Sequence, residues 1–370
     1  MLLIMIMLAL LTYSVFICRL IFVLKSTVKR ESSLIESRAK TTFISVVVAC
    51  KNEANNIIHL LDSLVKQDYP SENFEVIIVD DNSTDQTAGV TDEFIRHHPG
   101  NIRLIVNCSD GKKSAILNGV KESAGELIIV TDADCIVSPG WISSYEWLYL
   151  KESPDMIAGR VICNNGEGFA SAFGKYEFAA LQGVTEALTI AGNPVMCNGA
   201  NMAFARDKYL AHADRLRMEI SSGDDVFLLH AIKKAGGKIC WNGAAEAAVR
   251  TDGATTLAGL LRQRARWASK ATHYTDAATI LTAITVFAAN VALLFLYAGS
   301  FFSTVFLYLL PVAFVIKAIP DGIIIKQTLI QEKERFSPLL FIIMDIFYPL
   351  YFILVFILSF FPSLKKFSGR

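Results

Sequence analysis

Apolar and polar positions alternate between two regimes along this chain. Residues 2–24 are mostly apolar and contain one charge, Arg19. About 20 such residues suffice to cross a bilayer as a helix. Nothing basic precedes this run, whereas Lys25, Lys29 and Arg30 follow it. A cleaved signal peptide has the opposite order, so the pattern predicts a retained N-terminal transmembrane anchor over residues 1–25. From Ala277 to Ile319 the chain is almost uncharged until Lys317, which suits two transmembrane helices with a turn near Ala298, Gly299 and Ser300. Residues 338–361 form a third C-terminal membrane segment, interrupted by Asp345 and Pro349. Residues 321–336 mix apolar and charged positions, the pattern of an interfacial segment.

The middle of the chain, residues 40–275, has a different rhythm. Short β-branched runs at 42–50, 74–81, 102–106 and 126–134 suit buried strands. Helical patterns lie between them: Ile57, Leu60, Leu61 and Leu64 share one face, and further helices are predicted over 85–98 and 113–124. Alternating strands and helices predict an α/β domain with a mostly parallel sheet and covered faces. Phe169–Ile190 has the pattern of an amphipathic helix near the membrane.

Charge places this domain. The basic residues after the first run put the N-terminus outside and residue 25 onward in the cytosol. One span before the domain and three after would put the C-terminus outside, against Lys365 and Lys366. A re-entrant last segment and an exception to the charge rule both stay open. Over 370 residues, 35 basic and 35 acidic side chains cancel, which removes any electrostatic case for a nucleic-acid partner. Charged residues make up 19%, hydrophobic residues 53%, and mean hydropathy is +0.41. Soluble domains carry roughly a quarter charged residues. The composition excludes intrinsic disorder and fits a membrane protein with a soluble middle. The seven cysteines form no C-x-x-C pair, which argues against zinc and fits a reducing compartment.

Candidate chemistry collects at the predicted strand ends, where open α/β sheets bind ligands. The first strand runs into Lys51, Asn52 and Glu53, the second into Asp80 and Asp81, and the fourth into Asp132, Ala133 and Asp134. One acidic strand end is an ordinary helix cap. Three at one edge suggest a site. Asp132 and Asp134 can both approach one hard cation, and magnesium prefers few carboxylates plus phosphate oxygens. Asp224 and Asp225 open a predicted helix after Gly223, either as simple N-terminal carboxylates or with Asp225 as a general base while Asp224 caps. Gln263, Arg266 and Trp267 sit at i, i+3 and i+4 of a basic helix, hence on one face. Basic residues before a span are also ordinary topology signals. Arginine can grip two oxygens of a diphosphate, and tryptophan offers a flat face to a sugar ring.

Taken in order, seven segments resemble a membrane-bound family 2 glycosyltransferase of the Q-x-x-R-W branch, which contains polysaccharide synthases and ceramide glucosyltransferases. They are VVVACKNEANNI, IIVDDNSTD, DGKKSAILNGV, DAD, CNGANMAF, GDD and QRARW, and they span residues 43–267. The resemblance implies a GT-A type, Rossmann-like nucleotide-sugar-binding domain with flanking transmembrane helices. It implies that Asp81, with Glu53 and Lys113, binds the uridine of a UDP-sugar donor. Asp134 would ligate Mg²⁺ or Mn²⁺ with Asp132 beside it on the donor. Asp225 would deprotonate the acceptor hydroxyl, so that the sugar inverts. Gln263 and Arg266 would hold the diphosphate. Trp267, with Asn198 and Gly199 of the CNGANMAF segment, would border the acceptor. The expected enzyme is an inverting hexosyltransferase acting on a lipid or glycan acceptor at the membrane. Its catalytic domain would be cytoplasmic, at the cell inner membrane if bacterial. The chain is short beside the larger synthases, which favours a lipid-linked acceptor. A short processive polysaccharide synthase, a polyprenyl-phosphate sugar transferase and a catalytically silent membrane subunit are the alternatives.

Overall fold

The computed structural model describes residues 1–27, 41–164, 166–220 and 222–361. Lys29, Arg30, Lys365 and Lys366, which carried part of the orientation argument, lie outside the described residues. In chain order the helices and strands begin with α1 (Leu2–Thr27), β1 (Ile44–Cys50), α2 (Ile57–Leu64), β2 (Phe74–Asp80), α3 (Thr87–His97), β3 (Ile102–Val106), α4 (Lys112–Glu122) and β4 (Leu127–Asp132). Then come β5 (Cys135–Ile136), α5 (Trp141–Glu152), β6 (Met156–Gly159), β7 (Val161–Asn164), α6 (Phe169–Ile190), β8 (Met202–Ala205), α7 (Arg206–Ala211) and α8 (Asp224–Lys234). The chain continues with β9 (Ile239–Asn242), β10 (Val249–Asp252), α9 (Leu257–Ala268), α10 (Ala277–Ser300), α11 (Thr304–Gln331) and α12 (Pro338–Leu358).

Contacts divide these elements into two compact units. One holds the described strands with α2–α5, α7 and α8; the other holds α1, α6 and α9–α12. The stretch 40–275 therefore contributes α6 and α9 to the helical unit rather than forming one body.

In the sheet unit, β1 lies between β2 and β4, parallel to both, and β3 is parallel to β2. Buried β-branched residues on both faces explain this central place: Val46, Val47 and Val48 are fully buried. The seven-stranded order is β3-β2-β1-β4-β8-β6-β9. The parallel rule breaks at β8, which runs antiparallel to β4 and β6. A second, three-stranded sheet has the order β5-β10-β7. Helix α4 covers one face, packing Ile116 and Val120 with Val47, Ile77 and Val79 in a common core. Gly119 sets the distance. A Cβ there would lie 2.5 Å from Val47 Cγ1 and 3.0 Å from Val79 Cγ2.

The helical unit has four helices long and apolar enough to cross a membrane: α1, α10, α11 and α12. Residues 321–331 do not start a separate interfacial segment but continue α11, which runs through Pro311 and Pro320 to Gln331. The mixed polarity that suggested a boundary has another cause. Lys317 is 1% exposed and donates to Asp321 Oδ2 at 2.7 Å and Asp345 Oδ1 at 2.6 Å. Tyr13 of α1 donates its hydroxyl to Asp321 Oδ1 at 2.7 Å. The charges are thus spent on each other, tying α1, α11 and α12 together, and the helix need not end to expose them. Helix α6 packs on α1 and α11. At Gly183 the approach to α11 is so close that a Cβ would lie 2.5 Å from Thr328 Oγ1.

Gly119→Val is expected to overpack the α4–sheet contact and cost about 1–3 kcal/mol, read as a lower melting temperature; no change would mean that α4 backs away freely. Lys317→Met leaves two buried carboxylates facing each other and is expected to cost about 3–5 kcal/mol. Tyr13→Phe removes one hydrogen bond and is expected to cost about 1 kcal/mol. Thermal unfolding in detergent compares them, and equal drops would refute the ion cluster as the anchor.

Candidate functional site

Parallel register decides which residues meet. Cys50 pairs with Asp80 and Ala49 with Asp132, so the ends of β1, β2 and β4 lie side by side. Asp81 is 5% exposed. Its Oδ1 accepts from the Gly111 amide at 2.8 Å and from Asn107 Nδ2 at 2.7 Å, while Lys51 Nζ is 3.6 Å from Oδ2. This carboxylate therefore fixes the turn that starts α4, where Gly111 has φ +104°. Glu53 lies on the neighbouring loop; its amide donates to Thr87 Oγ1 at 2.8 Å and its Oε2 accepts from Asn56 at 2.7 Å.

The lysine that reaches the acidic edge is Lys112. Its Nζ is 2.5 Å from Asp132 Oδ1. Lys113, the expected donor-binding lysine, donates instead to the carbonyls of Leu216 and Arg217 at 2.7 and 2.8 Å and sits 4.8 Å from the centre of the Phe227 ring. Adjacent helical residues point about a third of a turn apart, so the two lysines take different partners. The doublet after Gly111 was the available signal for Lys112.

The GDD segment joins the same place. A Cβ on Gly199 would lie 3.3 Å from Asp224 Oδ2, 3.6 Å from Lys112 Nζ and 3.7 Å from Asp225 Cβ. Asp225 Oδ2 accepts from the Gly199 amide at 3.2 Å and Asp224 is buried. Gly223 holds the N-cap position with φ 90°, and Asp225 Oδ1 accepts from the Val226 amide in the first turn at 2.7 Å. Asn198 Oδ1 accepts from the Ala200 amide at 3.0 Å and so shapes the turn that presents Gly199.

The local field is negative. Burial lowers the proton affinity of Lys112, but Asp132, Asp224 and Asp225 more than reverse this, and the ammonium is held above the ordinary lysine range. Burial, then Asp80, Glu53, Asp81 and Asp85, push the Cys50 thiol up to about 12. Burial, then Asp132 and Asp134, also raise Cys135, whose Sγ is 3.7 Å from Asp134 Oδ1. Among the described residues no group of three or more His, Cys, Asp or Glu could hold a metal ion. Asp132 and Asp134 supply two hard oxygen donors, which fits a cation that draws its remaining ligands from water and phosphate.

In the helical unit, α9 carries Gln263, Arg266 and Trp267 within Leu257–Ala268. Gln263 Oε1 accepts from Arg264 Nη1 at 2.5 Å, and the Arg264 guanidinium lies 4.3 Å from the centre of the Trp267 ring. The Arg266 carbonyl accepts from Ser269 Oγ at 2.8 Å near the end of the helix. Arg264, absent from the sequence expectations, is the most buried of the three charged or amide residues between positions 263 and 266.

Comparison with known proteins gives this geometry a setting. The poly-beta-1,6-N-acetyl-D-glucosamine synthase of Staphylococcus epidermidis is 26% identical over 234 residues, 61% of this chain and 53% of that protein. The beta-monoglucosyldiacylglycerol synthase of Nostoc sp. is 29% identical over 238 residues, 63% of this chain and 50% of that protein. The chain spans about half the length of these relatives. The mannosyltransferase PcManGT from Pyrobaculum calidifontis, solved in complex with GDP-Man and Mn²⁺, superposes with a TM-score of 0.58 at 19% identity. The match covers 92% of this chain and 99% of that one, and it shows a GT-A type fold. A family model described as Glycosyltransferase like family 2 matches residues 41–270. A match that begins before β1 and runs through α9 takes in every acidic strand end and the Gln263–Trp267 segment, and the chain therefore belongs to glycosyltransferase family 2.

Proposed function

We propose that this chain is an inverting, divalent-cation-dependent glycosyltransferase embedded in a membrane. It moves a sugar from a nucleotide-sugar donor, a UDP-sugar in the first instance, to a lipid-linked acceptor. The observation that carries this proposal is the convergence of Lys112, Asp132, Gly199, Asp224 and Asp225 beyond the carboxyl edge of the sheet. The apolar helices supply the membrane setting, and the catalytic unit faces the cytosol.

Each residue then has a task. Asp225, steadied by the Gly199 amide, takes the proton of the acceptor hydroxyl. The acceptor oxygen bonds to the anomeric carbon as the bond to the diphosphate breaks on the opposite face, so the anomer inverts. Asp134 and Asp132 hold the cation, which when bound neutralises charge on the departing diphosphate. Lys112 balances Asp132 and keeps the carboxylates from repelling an incoming anionic donor. Asp81, Glu53 and Lys113 shape the nucleoside end. Gln263 and Arg266 hold the diphosphate, and Trp267 with Asn198 borders the acceptor.

The two relatives differ in product. One name describes a polymer and the other a glucosylated lipid. The glycolipid relative favours a single addition to a lipid, and the polymer relative favours a short processive synthase as the second reading. The chemical step is the same in both. A silent subunit would have no need to keep Asp132, Asp134, Asp225, Arg266 and Trp267 together in one chain.

Purified protein in detergent, given a panel of UDP- and GDP-sugars, Mg²⁺ or Mn²⁺ and a membrane lipid extract, is expected to release nucleotide from one donor and to stop on chelation. Asp225→Asn should lower turnover by about 10²- to 10⁴-fold with nucleotide binding intact. Normal turnover in that variant would remove Asp225 as the base. Release without any extract would favour the polymer reading. Lys112→Gln should reduce kcat/KM for the donor by about 10- to 100-fold, and unchanged kinetics would make the Lys112–Asp132 pair incidental.

A further inference from the structure

A buried guanidinium on α9 makes three different contacts at once. Arg264 is 5% exposed. Its Nε donates to Glu177 Oε2 of α6 at 2.6 Å, and the two side chains retain 6% and 8% of their exposure. Its Nη1 donates to Gln263 Oε1 at 2.5 Å. Its guanidinium carbon lies over the Trp267 ring, 4.3 Å from the ring centre, and 5.7 Å from the centre of Phe178. The Glu177 carboxylate is held from its other side, where Tyr351 of α12 donates its hydroxyl to Oε1 at 3.1 Å. One planar group therefore uses two of its edges and its face, and α6, α9 and α12 all converge on it.

We propose that Arg264 is the positioning residue of the Gln263–Trp267 face, orienting the Gln263 amide for the donor diphosphate and the Trp267 indole for the acceptor from a buried ion pair with Glu177. This rests on the roles proposed above for Gln263 and Trp267, and it adds a residue that touches neither substrate.

The chemistry of each contact supports the assignment. A guanidinium only donates hydrogen bonds, so the atom of Gln263 facing it must be the amide oxygen. The Gln263 NH₂ then points away, and as a donor it has the polarity that a diphosphate oxygen requires. The stacking contact fixes the plane of the indole, which sets the flat surface offered to a sugar ring. A lone structural ion pair would need only Glu177. Lysine can keep that pair, but as a point charge it offers neither the fork for Gln263 nor the plane for Trp267. Arg264→Lys therefore separates positioning from charge burial.

The test is a cycle of four full-length proteins: wild type, Arg264→Lys, Gln263→Ala and the double variant. Nucleotide release gives kcat and KM, titration with UDP and with GDP gives affinity, and thermal unfolding reports the folded fraction. Arg264→Lys is expected to lose about 10- to 100-fold in kcat/KM with a melting temperature near that of wild type. If Arg264 acts through Gln263, the double variant should be no worse than the poorer single one. Multiplicative losses, wild-type kinetics in Arg264→Lys, or a loss that merely follows the folded fraction would each overturn the proposal. The Trp267 emission, isolated by subtracting Trp267→Phe spectra, should shift in Arg264→Lys. An unchanged emission would overturn the stacking role. The same cycle can be read on UDP and GDP affinity. A wild type that binds nucleotide without turnover would therefore sink the transferase reading and leave positioning to be decided by the affinity cycle. A wild type that binds neither nucleotide would overturn both.

Discussion

Like charge concentrated in a small volume is the constraint from which the sheet unit's chemistry follows. Parallel strands deliver their carboxyl ends to one edge, and here those ends carry Asp80, Asp81 and Asp132, with Asp224 and Asp225 brought in by α8. Such an edge repels itself unless each carboxylate has a partner. Backbone amides serve Asp81 and Asp225, and Lys112 serves Asp132. Burial, reinforced by these carboxylates, raises the thiols of Cys50 and Cys135 inside the sheet. An edge of this kind attracts cations, and its paired carboxylates are hard oxygen donors of the type that a cation shared with phosphate oxygens takes.

The helical unit meets the converse difficulty. Four of its helices are long and apolar enough to cross a membrane, and an isolated charge buried among such helices is expensive. Among its ionised side chains, two such groups hold opposite charges together: Lys317 with Asp321 and Asp345, and Arg264 with Glu177. Each group spans more than one helix. Tyr13 brings α1 to the first, and Tyr351 brings α12 to the second. Hydroxyl donors thus complete what the ion pairs begin.

Much of the fold was legible because long β-branched runs leave little choice. The strands β1 to β4 and the helices between them follow the hydrophobic rhythm, and α6 occupies Phe169–Ile190 as its pattern indicated. The strands from β5 to β10 are two to four residues long, too short for alternation to register, so the antiparallel turn at β8 was hidden. The end of α11 was misplaced because a charged residue in sequence carries no mark of its partner; Lys317 is explained by Asp321 one turn on and by Asp345, 28 positions away. The same blindness passed over Lys112 and Arg264. A motif names residue types at spacings, whereas the direction of each side chain depends on helix phase and on neighbours such as Glu177, 87 positions distant.

The ion cluster around Lys317 also bears on how this sequence can change over generations. Loss of the lysine alone strands two carboxylates, and loss of either aspartate alone leaves the other to balance it, so the three positions are unequal under drift. Asp321 can be exchanged while Asp345 remains, and the reverse, but loss of both acids strands the buried lysine just as loss of the lysine strands the acids. Substitution here therefore has an order: one aspartate can go first, after which the lysine and the remaining acid are bound to change together.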